Sequence, residues 1–184
     1  MWKLLSNINK QSIYIFGTLV KLKNSPLKKK NISLILISVA VCLLVGFLSS
    51  FATQSSVNDW YVGLNKPFFN PPNWVFAPVW TFLYIVMGVS AGLVWAKGYY
   101  HVWVKTALYH FLFQLLINAL WSITFFGLKN PLLALFVILG LNILLLFTFK
   151  WFRIVLPKAA YLLIPYMAWV GFATALNTAI WWLN

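Results

Sequence analysis

Acidic residues are almost missing: Asp59 is the only one in 184 residues, against 14 lysines and arginines. Paired carboxylates are therefore unavailable, which excludes two-carboxylate acid–base catalysis. No intramembrane carboxylate is left to relay protons either, which argues against an ordinary proton-coupled transporter. Cysteine is equally scarce. Cys42 stands alone, so no intramolecular disulfide can form. The two histidines, His101 and His110, lie far from Cys42 in sequence, and a His–Cys–carboxylate metal site is not expected. No P-loop and no G-x-G-x-x-G occurs.

What is abundant is apolar and aromatic. The chain is 62% hydrophobic, 19% aromatic and only 8% charged, with a mean hydropathy of +0.86. A soluble chain of this size has too little polar surface to cover such a composition, so a lipid environment is the natural setting for a single domain. The net charge of +13 does not point to nucleic acid, because the basic residues sit at the ends of apolar segments, where membrane orientation explains them.

Five apolar runs, at about residues 31–53, 74–96, 103–126, 131–151 and 159–183, each have the length of about twenty residues that a bilayer demands. The expected fold is an all-α membrane bundle of five transmembrane helices, residues 31–184, with a long Pro/Trp-rich loop between the first two. The other links are short, which makes sequential helices antiparallel neighbours. Residues 1–30 form a basic arm whose Lys3, Lys10, Lys21, Lys23, Lys28, Lys29 and Lys30 face no acid. The arm reads either as an interfacial helix against anionic headgroups or as a targeting sequence, and its lack of arginine counts against the second. Lys97, Lys105, Lys150, Arg153 and Lys158 fall on the same side as the arm, and Lys66 and Lys129 on the other. The positive-inside rule then puts the N-terminus inside and the C-terminus outside, in a bacterial membrane or a mitochondrial outer membrane.

The most informative stretch is Asp59 to Trp95. Pro67, Pro71 and Pro72 with Asn65, Asn70 and Asn73 predict an irregular segment over residues 60–73. A helix follows, with Pro78 in about its first turn and with Trp80, Tyr84, Gly88, Ala91 and Trp95 on one face. A stiff aromatic loop feeding an aromatic stripe resembles the lid and wall of a pocket for a flat, apolar ligand. In the third span His110, Gln114 and Asn118 repeat at i, i+4, followed by Trp121 and Ser122. They serve either as hydrogen-bonding glue between helices or as anchors for a ligand's polar edges. Trp169, Phe172, Ala173, Leu176 and Asn177 share a face of the fifth span, where mid-span Trp169 either packs the core or stacks on a ligand. Gly88 and Gly92 make a G-x-x-x-G, read either as internal packing or as a dimer seam. Asp59 is expected to be a solvated loop residue.

Trp60–Tyr61, Lys66–Pro67, Pro71–Pro72, Trp74, Ala77–Pro78, Trp80, Leu83–Tyr84, Met87–Gly88 and Trp95 also form a pattern. It continues through Gln114, Asn118, Trp121 and Phe125–Gly127, then Pro165–Tyr166, Ala168–Trp169, Phe172–Thr174 and Leu176–Asn177. With this set the chain resembles the TspO/MBR family, the tryptophan-rich sensory proteins and the mitochondrial translocator protein (the peripheral benzodiazepine receptor). The resemblance covers residue 33 to the C-terminus.

It implies a five-helix bundle, a homodimer, and a pocket beneath the first loop for porphyrins such as protoporphyrin IX or for benzodiazepine-type ligands. No obligatory cofactor and no metal are implied. Carried over by motif, the pocket is lined by Tyr61, Pro71, Ala77, Val79, Trp80, Tyr84, Asn118, Trp121, Trp169, Phe172 and Ala173. Relatives resembling this chain degrade protoporphyrin IX in light with pocket-facing tryptophans, here Trp80 and Trp169. The leading expectation is a membrane receptor or sensor of tetrapyrroles. The alternatives are a light-dependent porphyrin-degrading enzyme and a transporter of lipophiles. The final span ends LNTAIWWLN, without the tyrosine and basic residue of the animal cholesterol motif. That departure puts cholesterol recognition in doubt.

Overall fold

The computed structural model describes residues 29–57 and 59–184. The basic arm, apart from Lys29 and Lys30, lies outside the described residues. Among the described residues seven α-helices follow one another: α1 (Lys29–Val57), α2 (Trp60–Gly63), α3 (Asn73–Trp95), α4 (Val102–Ser122), α5 (Pro131–Val155), α6 (Pro157–Leu162) and α7 (Ile164–Leu183). A π-helical turn, Ile123–Gly127, extends α4, and α6 with α7 makes one span broken at Leu163. Five segments are long and apolar enough to cross a membrane: Asn31–Gln54, Asn73–Trp95, Val102–Gly127, Pro131–Val155 and Pro157–Leu183. The chain is thus an integral, multi-pass, five-helix membrane protein. Helices suit this setting because every backbone polar group in hydrocarbon must be satisfied within its own segment.

Several boundaries differ from the sequence reading, each for a local reason. The loop after α1 is not wholly irregular, since Trp60–Gly63 closes one helical turn before the prolines begin. Pro78 lies in the second turn of α3 rather than the first. The fourth span runs on to Val155, because nothing before Pro157 breaks it. Asn130 caps that helix: its Oδ1 accepts from the Leu133 N–H at 3.0 Å, and Pro131 takes the first position, where a missing donor costs little.

Helices α1 and α3 approach closely. A Cβ added at Gly88 would run into the Val39 backbone, with Val39 N at 2.7 Å, and one at Gly92 would meet Ile35, with Ile35 N at 3.0 Å. The G-x-x-x-G therefore packs within the chain, and these two glycines are not free to form a seam between copies. Further along, Gly46 of α1 leaves room for the Tyr84 ring. Leu83, Met87, Val94, Leu115, Leu141, Leu145, Phe152 and Tyr166 fill the core behind the two helices.

The connection from α2 to α3 is fastened at both ends. The Tyr61 hydroxyl donates to Asn70 Oδ1 at 2.8 Å, and Lys66 sits over the Tyr61 ring, 4.9 Å from its centroid. Lys66 Nζ also donates to the carbonyls of Val62 and Leu64. Exposed Asp59 shows no side-chain cap bond to α2. The far side of the loop is tied to the end of α7. The Asn65 N–H donates to Asn184 Oδ1 at 3.0 Å, and Asn184 Nδ2 donates back to the Asn65 carbonyl at 3.1 Å.

Two outcomes follow from this packing. Gly88→Leu should lower stability by about 1–3 kcal/mol through overpacking. Gly140→Ala, where an added Cβ meets nothing within 4 Å, should raise it by about 0.5–1 kcal/mol. Thermal unfolding in detergent reads both. Asn184→Ala removes the acceptor of the Asn65 amide, so hydrogen exchange at Asn65 should speed up about fivefold, with α5 amides unchanged.

Candidate ligand cavity

Between α1, α3, α4 and α7 a cavity of about 870 Å³ opens beneath the loop. Its lining follows helical spacing on four elements. Helix α3 contributes Asn73, Phe76, Ala77, Trp80, Thr81 and Tyr84, and α7 contributes Trp169, Phe172, Ala173, Leu176, Asn177 and Ile180. Helix α4 and its π-turn supply Asn118, Trp121, Ser122, Phe125 and Phe126, and Tyr61 closes the top. The π-turn adds one residue to the helical repeat, with Leu128 N–H bonded to Ile123 O at 2.8 Å, and such turns commonly mark functional sites.

The remaining wall comes from α1: Gly46, Ser49, Ser50, Thr53, Gln54 and Val57, with Leu43 and Phe47. Phe47 and Gln54 of this wall are exposed.

The aromatic side chains form two connected sets. Trp80 lies 5.8 Å from Tyr84 and 6.1 Å from Trp121, and Trp121 lies 5.8 Å from Phe125. On the α7 side, Trp169 lies 5.5 Å from Phe172 and 6.1 Å from Phe76. Phe69 of the loop reaches Phe172 at 6.2 Å, which closes the aromatic wall from above.

Polar groups are few and held in place. The Tyr84 hydroxyl donates to Asn118 Oδ1 at 2.8 Å, and the Tyr166 hydroxyl donates to Gln114 Oε1 at 2.9 Å. Trp121 Nε1 donates to Asn177 Oδ1 at 3.0 Å, while Asn177 Nδ2 donates to the Pro131 carbonyl. Each amide is oriented by its partner, and this leaves three buried donors unpartnered: Asn118 Nδ2, Gln114 Nε2 and Trp169 Nε1. Asn118 and Trp169 line the cavity. Gln114 does not, although its Nε2 is a buried donor too. Across from them, the α1 hydroxyls bond mainly to carbonyls one turn back: Ser49 to Val45 O and Ser50 to Phe47 O. Thr53 also pairs with Ser122 at 3.0 Å. Burial raises the Tyr61 hydroxyl above its ordinary pKa, so the neutral form that bonds Asn70 persists throughout the physiological range.

Of the residues singled out from sequence, Tyr61, Ala77, Trp80, Tyr84, Asn118, Trp121, Trp169, Phe172 and Ala173 all lie on the cavity wall. Pro71 and Val79 do not. Val79 sits two residues from Ala77 and one from Trp80, about 200° and 100° around the helix, so it turns into the core packing instead. Pro71 remains in the loop, where its carbonyl accepts from Asn70 Nδ2. The whole α1 wall escaped sequence reasoning. His110 lies away from the cavity, beside Trp151 and Phe147. Among the described residues no group of three or more His, Cys, Asp or Glu is placed to hold a metal.

The comparisons with known proteins agree with this architecture. The model of the TspO/MBR family matches residues 38–183. The chain is 44% identical over 155 residues to the tryptophan-rich protein TspO of Archaeoglobus fulgidus, which covers 84% of this chain and 99% of that protein. It is 40% identical over 126 residues to the human translocator protein, covering 66% of this chain and 73% of that one. To the tryptophan-rich sensory protein of Cereibacter sphaeroides it is 37% identical over 128 residues, covering 69% and 78%. With its five spans, its fastened loop and its tryptophan-lined cavity, the chain belongs to the TspO/MBR family.

Proposed function

We propose that the protein is a membrane receptor or sensor whose cavity takes a flat lipophilic ligand, with protoporphyrin IX as the leading candidate. The observation that carries this reading is an aromatic wall interrupted by two fixed, unpartnered N–H donors, those of Asn118 and Trp169. A porphyrin is a broad π-surface with polar propionate edges. Indole and phenyl rings offset-stack on such a face, and buried N–H groups meet its acceptors. The cavity volume falls in the range of small-molecule sites. The loop is already fastened through Tyr61–Asn70 and Asn65–Asn184, which limits the entropy lost on binding. By the positive-inside rule, the end bearing Lys97, Lys150, Arg153 and Lys158 faces inside, so the loop faces outside.

A second reading, light-dependent porphyrin degradation, is favoured by one specific feature. Trp80 and Trp169 both reach the cavity, from different helices. Indole gives up an electron readily, and a photoexcited pigment between the two rings would be an acceptor. On this reading the protein consumes what it binds.

Protoporphyrin IX titrated into the full chain in detergent, in darkness, should quench tryptophan fluorescence saturably. Combining Trp169→Phe with Asn118→Ala should weaken binding by about tenfold or more, whereas Trp182→Phe, on the exposed face of α7, should leave it unchanged. Unsaturable quenching, or equal affinity in the double variant, rejects the assignment. Under illumination, loss of the Soret band with the native protein but not with Trp80→Phe or Trp169→Phe would select the enzyme reading.

A further inference from the structure

The connection into α3, residues 67–74, reads PFFNPPNW. It carries no charge, and Pro67, Pro71 and Pro72 have no N–H to satisfy. The polar groups of Asn70 are all bonded. Its N–H donates to the Pro67 carbonyl at 3.0 Å, its Oδ1 accepts from Tyr61, and its Nδ2 donates to the Pro71 carbonyl. Each N–H removed or bonded lowers the cost of holding irregular backbone close to hydrocarbon. The apolar side chains of the segment are not put away, however. Phe68 is 101% exposed and Trp74 is 74% exposed, and neither lines the cavity.

Two ring contacts set the depth of this segment. Phe68 packs edge-on against Phe69 at 5.4 Å, and Phe69 reaches Phe172 of α7 at 6.2 Å. Phe172 precedes Leu183, the end of α7, by eleven residues, a drop of about 16 Å at the helical rise. Helical side chains lean towards the N-terminus, which for α7 is the end away from the loop, so the Phe172 ring is no nearer the loop end than its own backbone. The two ring steps together are shorter than that drop. Phe68 therefore lies closer to the bilayer centre than the end of α7, where exposed Trp181 and Trp182 close the span. Around α7, Phe172 falls between cavity-lining Trp169 and Leu176 on one side and exposed Ala168 and Ala175 on the other. Phe69 thus meets α7 at the edge where the cavity wall gives way to the outer face. Trp74 begins the outer face of α3, which continues as exposed Pro78, Phe82 and Ile85.

We propose that this segment is a lid seated in the membrane, with the Phe68 and Trp74 side chains among the acyl chains of the leaflet at the loop end, so that lipid itself holds the lid down over the cavity. Water is the poorer medium for a fully exposed phenyl ring, and its transfer into hydrocarbon supplies the restraint. Trp74, with an indole N–H, suits the boundary between acyl chains and headgroups, whereas Phe68 has no polar atom to keep in water. Phe69 links this lipid contact to the cavity wall through Phe172. The seating does not depend on which ligand the cavity takes.

The test uses the full chain in phosphatidylcholine nanodiscs. A nitroxide is attached at Phe68→Cys, with Phe82→Cys on the outer face of α3 and Asp59→Cys at the start of α2 as references. The native chain, whose Cys42 is 1% exposed, serves as the blank. The ratio of collisions with oxygen, which concentrates in hydrocarbon, to collisions with a water-soluble nickel chelate should match at Phe68 and Phe82 and exceed that at Asp59 severalfold. A second measurement carries no label. Phe68→Ser should speed hydrogen exchange at the Asn70 amide by about tenfold. Phe68→Leu, which restores apolar surface without a ring, should return it to within about twofold of native. A probe at Phe68 with the ratio found at Asp59 overturns the proposal. So does unchanged exchange in Phe68→Ser, or a Phe68→Leu variant as fast as Phe68→Ser, which would assign the restraint to the Phe68–Phe69 ring pair.

Discussion

Two glycines one helical turn apart set the geometry on which the rest of this bundle depends. Gly88 and Gly92 let α3 lie against the backbone of α1 at Val39 and Ile35. In hydrocarbon there is no hydrophobic force between helices, so close van der Waals contact over small residues is what holds a pair together. Gly46 admits the Tyr84 ring, and from that level towards the loop both helices line the cavity. A core packed by Leu83, Met87, Leu115 and Tyr166 behind the clamp fixes α4 and α7 in position to supply the remaining walls.

The chemistry of the cavity follows from the same economy. Membrane interiors tolerate polar side chains only when they are paired or face a cavity. Asn118, Gln114 and Asn177 are each oriented by an aromatic partner, Tyr84, Tyr166 and Trp121 respectively. These bonds use the amide oxygens and leave the Asn118 and Gln114 N–H groups, together with Trp169 Nε1, without partners. The wall that results offers aromatic faces broadly and donors sparingly. On the proposed reading this wall recognises a flat ligand with acceptor edges; among the described residues its lining holds no carboxylate and no histidine.

Much of this was legible in the sequence, where residue type and helical period reinforce one another. Trp80 and Tyr84 on α3, and Trp169, Phe172 and Ala173 on α7, repeat at three and four residues, so the side of the helix they share could be read directly. The α1 wall could not. Ser49, Ser50 and Thr53 interrupt an apolar run without periodic emphasis, and their hydroxyls bond carbonyls of their own helix, so they look like ordinary span residues. Gly46 carries no side chain to signal that it faces a tyrosine. Val79, placed at the site by likeness to a family, packs against the core and does not line this cavity. The roles of Gly88 and Gly92 were also beyond the sequence, because a small-residue pair fits an internal contact and an external seam equally well.

The central claim is that the space between the aromatic faces of α3 and α7 is where the ligand sits. The most direct measurement is an experimental structure of the full chain with protoporphyrin IX in lipid. The account predicts a planar density between Trp80 and Trp169, under the Tyr61–Asn70 contact, with a polar atom within hydrogen-bond distance of Asn118 Nδ2. A macrocycle bound only on the outer, lipid-facing surface, with Trp80 still packed on Trp121 and no density between the two helices, would contradict it.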